Sequence, residues 1–82
     1  NHSLFETVIV SANDVLVDLF LKKQIKFNQI SLNLFKLINK EEFLIYKKKQ
    51  PKNVKEILYL NNYVRLKILE KVYKSVDVKK SF

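Results

Sequence analysis

Few side chains in this sequence could do chemistry, and none stands in the pattern that chemistry requires. His2 is the single histidine, and with no Cys in the chain it lacks the usual companions of a zinc-type site. No Ser can be paired with a histidine base for nucleophilic attack, because His2 lies alone near the first residue. Asp14 and Asp18 are one helical turn apart. At that spacing two carboxylates share a face and could divide acid and base roles or hold a divalent cation. The plainer reading is that Asp14 is favourable negative charge near a helix start and that the pair faces lysine at the surface. Glu41 and Glu42 follow Lys40 and read as a solvated turn. Tyr46, Tyr59, Tyr63 and Tyr73 are interspersed with lysines, which suits base stacking or, at helical spacing, the edge of a core. No residue is nominated as catalytic, cofactor-binding or metal-binding.

Composition narrows the field further. The chain has no Gly and one Pro, Pro51. Phosphate-cradling loops and dinucleotide fingerprints depend on Gly, so neither is present, and helices joined by ordinary turns are expected. The net charge of +8 comes from fifteen Lys and one Arg, Arg65, against eight acidic residues. Arg is the residue suited to base readout and two-pronged phosphate contact. An excess of Lys beside abundant Asn, Ile, Leu, Phe and Tyr looks instead like AT-rich coding and a solvated surface. Absence of Cys fits a reducing compartment. No apolar run approaches the roughly 20 residues that span a bilayer, so no membrane partner is expected. The first residues lack the layout of a secretory signal.

The elements are legible from periodicity. A first helix is expected from about Ser11 to Lys22, with Ser11 or Asn13 at its N-cap. Ala12, Val15, Leu16, Leu19 and Phe20 form its buried face. Leu4 to Val10 is apolar and β-branched, compatible with an extended lead-in or an earlier helix start. After a break at Lys22 to Gln24, Asn28 is the expected cap of a second helix, with Phe27 stapled onto Leu32. Ile30, Leu34, Leu37 and Ile38 make its stripe, and Phe35 lies to one side. Asn39 to Lys52 reads as a solvated linker, since Pro51 disfavours helix at Gln50. Asn53 and Glu56 resemble a capping box that opens a helix running to about Ser75, with a possible interruption at Asn61 and Asn62. Leu66, Leu69, Tyr73 and Val76 form one stripe on it, and Val64, Ile68 and Val72 a second. The expected fold is all-α, a small three- or four-helix bundle over residues 1–82 as a single domain.

Two segments, Val10 to Leu21 (VSANDVLVDLFL) and Gln24 to Ile30 (QIKFNQI), closely resemble the C-terminal helical domain of 1-deoxy-D-xylulose 5-phosphate reductoisomerase. The family pattern is Leu-Asn-Ala-Ala-Asn-Glu, then an apolar helix ending Phe-Leu, then Ile-x-Phe-x-x-Ile. Ala12, Asn13 and Asp14 stand at Ala-Asn-Glu, Phe20 and Leu21 at Phe-Leu, and Ile25, Phe27 and Ile30 at the last motif. Val54 to Leu58 and Asn62 to Arg65 look like the family's closing helices. Asp14 replaces the usual Glu, and Val10 and Ser11 replace an Asn and an Ala. Asn39 to Lys52 is longer than the family's connection. Asn1 to Thr7 lacks the helix that precedes the motif in the family, which points to a start that is truncated or divergent.

The resemblance implies an enzyme of the non-mevalonate isoprenoid pathway that forms 2-C-methyl-D-erythritol 4-phosphate with NADPH and Mg²⁺ or Mn²⁺. It places nucleotide, metal and substrate ligands in preceding domains of the same chain, and it implies a homodimer. The expected location is the plastid (apicoplast) in a eukaryote and the cytoplasm in a bacterium. The competing readings are an independent basic module that binds nucleic acid or an acidic protein, and a protein-interaction bundle with an exposed apolar stripe.

Overall fold

The computed structural model describes residues 3–80, with side chains described through Tyr73. Four α-helices and a 3₁₀ turn follow in order: α1 Leu4–Leu21, α2 Phe27–Ile38, α3 Glu41–Leu44, the turn Ile45–Lys48, and α4 Val54–Lys80. No strand occurs among the described residues. The all-α expectation holds.

α1 is the central element, and it begins seven residues before the expected start. Leu4 and Val8 extend the row of Ala12, Val15, Leu16 and Leu19, and all six are buried. Burying five Leu and Val side chains contributes on the order of 10 kcal/mol before chain entropy is subtracted, and this outweighs the poor helix propensity of Thr7 to Val10. Neither Ser11 nor Asn13 is a cap, since both lie inside the helix. Ser3 holds the N-cap position without a side-chain bond. The free N–H of Leu4 is satisfied from across the chain, donating to the Lys49 carbonyl at 2.7 Å.

The end of α1 closes in the left-handed manner that Gly usually serves, but with Lys23 at φ 60°. Lys23 N–H donates to Phe20 O at 2.9 Å and Gln24 N–H to Leu19 O at 2.8 Å. That pair of bonds compensates for about 1–2 kcal/mol of steric cost at a residue with a Cβ.

α2 starts at Phe27, so Asn28 lies within it and Lys26 takes the cap position. Gln29 Oε1 accepts the Lys26 N–H at 2.7 Å, the half of a capping box in which the third helical residue reaches back to the cap residue. Phe27 is the first helical residue, so it does not hold the position before the cap that a staple onto Leu32 requires. It is 73% exposed and meets Phe20 edge-on, ring centres 5.5 Å apart. Leu37 is buried, Ile30 and Leu34 pack against the core, and Phe35 is exposed, as the stripe implied.

The solvated-linker expectation fails over residues 41–48. Phe43, on the single-turn helix α3, is 0% exposed. An aromatic ring carries more apolar area than any other side chain in this core, and its burial fixes the segment against α1 despite the adjoining lysines. Of the segment from Asn39, residues 39–40 and 49–53 remain irregular.

α4 is unbroken through Asn61 and Asn62. Asn53 Oδ1 accepts the Glu56 N–H at 2.9 Å, as a capping box requires, while Glu56 Oε1 reaches Lys52 N–H at 2.9 Å, one residue upstream of the usual partner. Of its two stripes, Leu60, Val64 and Ile68 are buried, with Val72 packed against them. Leu66 and Tyr73 are exposed, Leu69 is half-buried, and Val76 lies outside the described side chains.

Phe20 is half-buried and belongs to the rim of the α1 face. Phe43→Ala is therefore expected to cost about 3–5 kcal/mol, and Phe20→Ala clearly less. Denaturant titration of both variants checks this, and equal losses would misplace the core.

Candidate functional site

The best-constructed polar feature is inside the α1–α4 interface. Ser11 is the buried polar residue of the core, 3% exposed, and its Oγ donates to Asn61 Oδ1. Both residues sit on apolar rows, Ser11 between Val8 and Val15, Asn61 beside Leu60 and Val64. A hydroxyl in such a place is costly unless bonded, and the bond fixes the helices in one relative register. Sequence reasoning missed the pair. The available signal was Ser11, a polar residue inside the apolar row of α1, since Asn61 itself is exposed.

A second polar cluster joins α3 to α4 at the surface. Tyr63 Oη donates to Glu42 Oε1 at 2.7 Å. The Tyr63 ring tilts against Phe43 with centres 6.0 Å apart, stacks with Tyr59 at 6.4 Å, and carries the Lys67 ammonium 5.5 Å from its centre. Donation to Glu42 holds the Tyr63 hydroxyl above its ordinary value, aided by burial and the Glu42 charge. Lys67 is also raised, chiefly by the Glu42 carboxylate and then by Tyr63. No reacting atom is presented. The cluster is a clamp that pins Phe43 beneath Tyr63.

The other sequence candidates are scattered. Asp18 pairs with Lys22 at 3.0 Å, while Asp14 is exposed on the outer side of α1. His2 lies outside the described residues. Lys47 covers the Phe5 ring at 5.2 Å and Lys49 the Tyr46 ring at 5.8 Å, so the lysine triplet serves partly as cover for aromatic surface. Among the described residues no group of three or more His, Cys, Asp or Glu could hold a metal ion. Nor is any described helix long and apolar enough to cross a membrane. An open cleft of 850 Å³ lies between the α1–α2 turn and α4, lined by Lys23, Lys26 and Lys71 with Asn28, Asn33 and Gln29. Burial, with Lys36 and Lys40 nearby, pushes the Lys71 ammonium down.

Ile25 and Ile30 pack on the core while Phe27 leans on Phe20, so the Ile-x-Phe-x-x-Ile segment is an anchoring device that carries no ligand group. A sequence model of the DXP reductoisomerase C-terminal domain matches residues 1–67. The chain belongs to the DXP reductoisomerase C-terminal domain family. It is 59% identical over 66 residues to the 1-deoxy-D-xylulose 5-phosphate reductoisomerase of Pelagibacter ubique (strain HTCC1062), covering 80% of this chain and 17% of that protein. The chain therefore spans under a fifth of the curated relative it matches. No solved structure matches. In this reductoisomerase domain the matched region takes in α1, α2, α3, the 3₁₀ turn and the first half of α4. The remainder of α4 lies beyond it.

The clamp gives a pH-dependent expectation. Tyr63 and Lys67 hold their protons more tightly folded than unfolded, so their contribution is full below pH 10.0 and fades as pH rises through the folded values. Glu42→Gln is expected to lower the Tyr63 pKa, read by ultraviolet difference titration of the phenolate. An unchanged titration would remove Glu42 from the clamp.

Proposed function

We propose that this chain is the structural C-terminal domain of a 1-deoxy-D-xylulose 5-phosphate reductoisomerase, supporting catalysis without supplying its reacting groups. The family match over residues 1–67 carries this reading. The described residues form a packed core held by polar clamps, the construction of a supporting domain. In the whole enzyme, NADPH and Mg²⁺ or Mn²⁺ are held by domains preceding this one in the same polypeptide. The substrate is 1-deoxy-D-xylulose 5-phosphate, and the product is 2-C-methyl-D-erythritol 4-phosphate for isoprenoid synthesis. In this reading the enzyme acts as a homodimer, in the plastid (apicoplast) of a eukaryote or in the cytoplasm of a bacterium.

A bundle in this role contributes through the stability and placement of its neighbours, so damage to its core should act at a distance. In the full-length protein, NADPH oxidation is expected to depend on 1-deoxy-D-xylulose 5-phosphate and a divalent cation. Removing this domain should abolish the activity or reduce it by at least about tenfold, and the isolated domain should show none. A full-length protein with no substrate-dependent NADPH oxidation would overturn the assignment. Full activity after deletion of the domain would overturn its supporting role.

A further inference from the structure

α2 and α4 both pack on α1 but do not meet each other among the described residues, and the space left between them beside the α1–α2 turn is the 850 Å³ cleft. Small-ligand sites span roughly 300–1,000 Å³. The wall of this one is divided by chemistry. Phe20, Ile25 and Val72, each half-buried, line it with apolar surface, while Lys23, Lys26 and Lys71 bring three ammonium groups from the turn and from α4. Among the described residues no carboxylate lines the cleft. Asp18, the last acidic residue of α1, is already paired with Lys22.

We propose that this cleft binds a phosphate-bearing amphiphile, a molecule with two or more negative charges at one end and a short apolar body. The inference goes beyond the enzymatic assignment and does not rest on it. Three ammonium groups without an acidic neighbour repel one another, and a ligand with one charge leaves most of that repulsion in place. A phosphate monoester carries about two charges near pH 7, and a diphosphate more. Lys71 shows the same imbalance: partial burial and the nearby Lys36 and Lys40 push its ammonium down, and an anion in the cleft restores it. The apolar wall selects the body. An inorganic anion leaves Phe20, Ile25 and Val72 facing water, whereas an alkyl chain covers them.

The turn keeps a cation at this place against its own backbone preference. Lys23 takes φ 60°, a conformation that Gly adopts without steric penalty. A Gly would close the turn more easily but would remove one ammonium group from the cleft. Gln29 is committed to the Lys26 N–H, and Asn33 Nδ2 donates to the Gln29 carbonyl, which steadies the first turn of α2 along the cleft edge. The positive end of that helix borders the same space and adds to its field. All three lysines are exposed, so the attraction is screened by salt, and affinity comes from head and body together.

Isothermal titration calorimetry of the chain tests this, with hexyl diphosphate as the probe and pyrophosphate and hexyl sulfate standing for its head and its body. Saturable one-to-one binding of hexyl diphosphate with a Kd below about 1 mM is expected, and the other two should each bind at least about tenfold more weakly. Lys26→Gln and Lys71→Gln should each raise the Kd by at least about threefold. Lys55→Gln removes the same charge from an exposed position on α4 outside the cleft and should leave the Kd unchanged. The replaced side chains are all exposed, so circular dichroism should show unchanged helix content. Vesicles containing phosphatidic acid separate the sources of the ligand. Binding to them that needs Lys26 and Lys71 makes it a lipid headgroup, and binding to hexyl diphosphate alone makes it a free molecule. Absence of saturable hexyl diphosphate binding overturns the proposal. Equal weakening by Lys55→Gln also overturns it, as generic attraction to the +8 charge. Pyrophosphate binding as tightly as the amphiphile overturns the role of the apolar wall.

Discussion

Leu4, Val8, Leu16 and Leu19 are withdrawn from water because α2, α3, the 3₁₀ turn and α4 each meet α1. No other helix contacts all of the rest, so the apolar row of α1 is the constraint on which the arrangement depends. A domain this small buries a modest fraction of its surface, and a single helix that organises the core is an economical arrangement. It also explains why the segment between α2 and α4 folds at all. Phe43 reaches the core, and the following Lys49 carbonyl closes onto the first N–H of α1. The start of the central helix is thus tied to a residue 45 positions later.

Polar groups refine what apolar burial sets up. The Ser11–Asn61 bond fixes register between α1 and α4, and the Glu42–Tyr63–Lys67 clamp holds α3 to α4. Both are placed where a mismatch would strand a buried or half-buried polar group, so they discriminate between packings more than they add raw stability. The family's own motifs fall into the same class. Phe20, Ile25, Phe27 and Ile30 join the end of α1 to α2, and Ala12 is wholly buried. Asn13, Asp14, Leu21 and Phe27 of the same motifs are exposed, so packing accounts for only part of the pattern.

Much of this was legible in the residues. The absence of Gly and the 3,4-spaced apolar rows indicated an all-α bundle, and VSANDVLVDLFL with QIKFNQI indicated the family. Four features were not legible, each for a physical reason. Thr7 to Val10 has weak helix propensity, so its helical state follows from the burial of Leu4 and Val8, a tertiary effect. Lys47 to Lys49 disguised the core residue Phe43 beside them. Lys23 does a turn usually assigned to Gly, so no composition signal marked it. On α4, two stripes compete, and only the packing of α1 decides that Val64 and Ile68 go inward while Leu66 stays outside.

The central claim, that α1 is the last element to lose structure, is open to native-state hydrogen exchange. The account predicts that amides of Val8, Ala12, Val15 and Leu16 exchange only through global unfolding, with opening free energies equal to the stability from denaturant titration. Amides in α2 and at the ends of α4 should exchange through smaller openings. If the α1 amides exchange more readily than those of α2 or of Leu60 to Ile68, then α1 does not organise the core, and the account is contradicted.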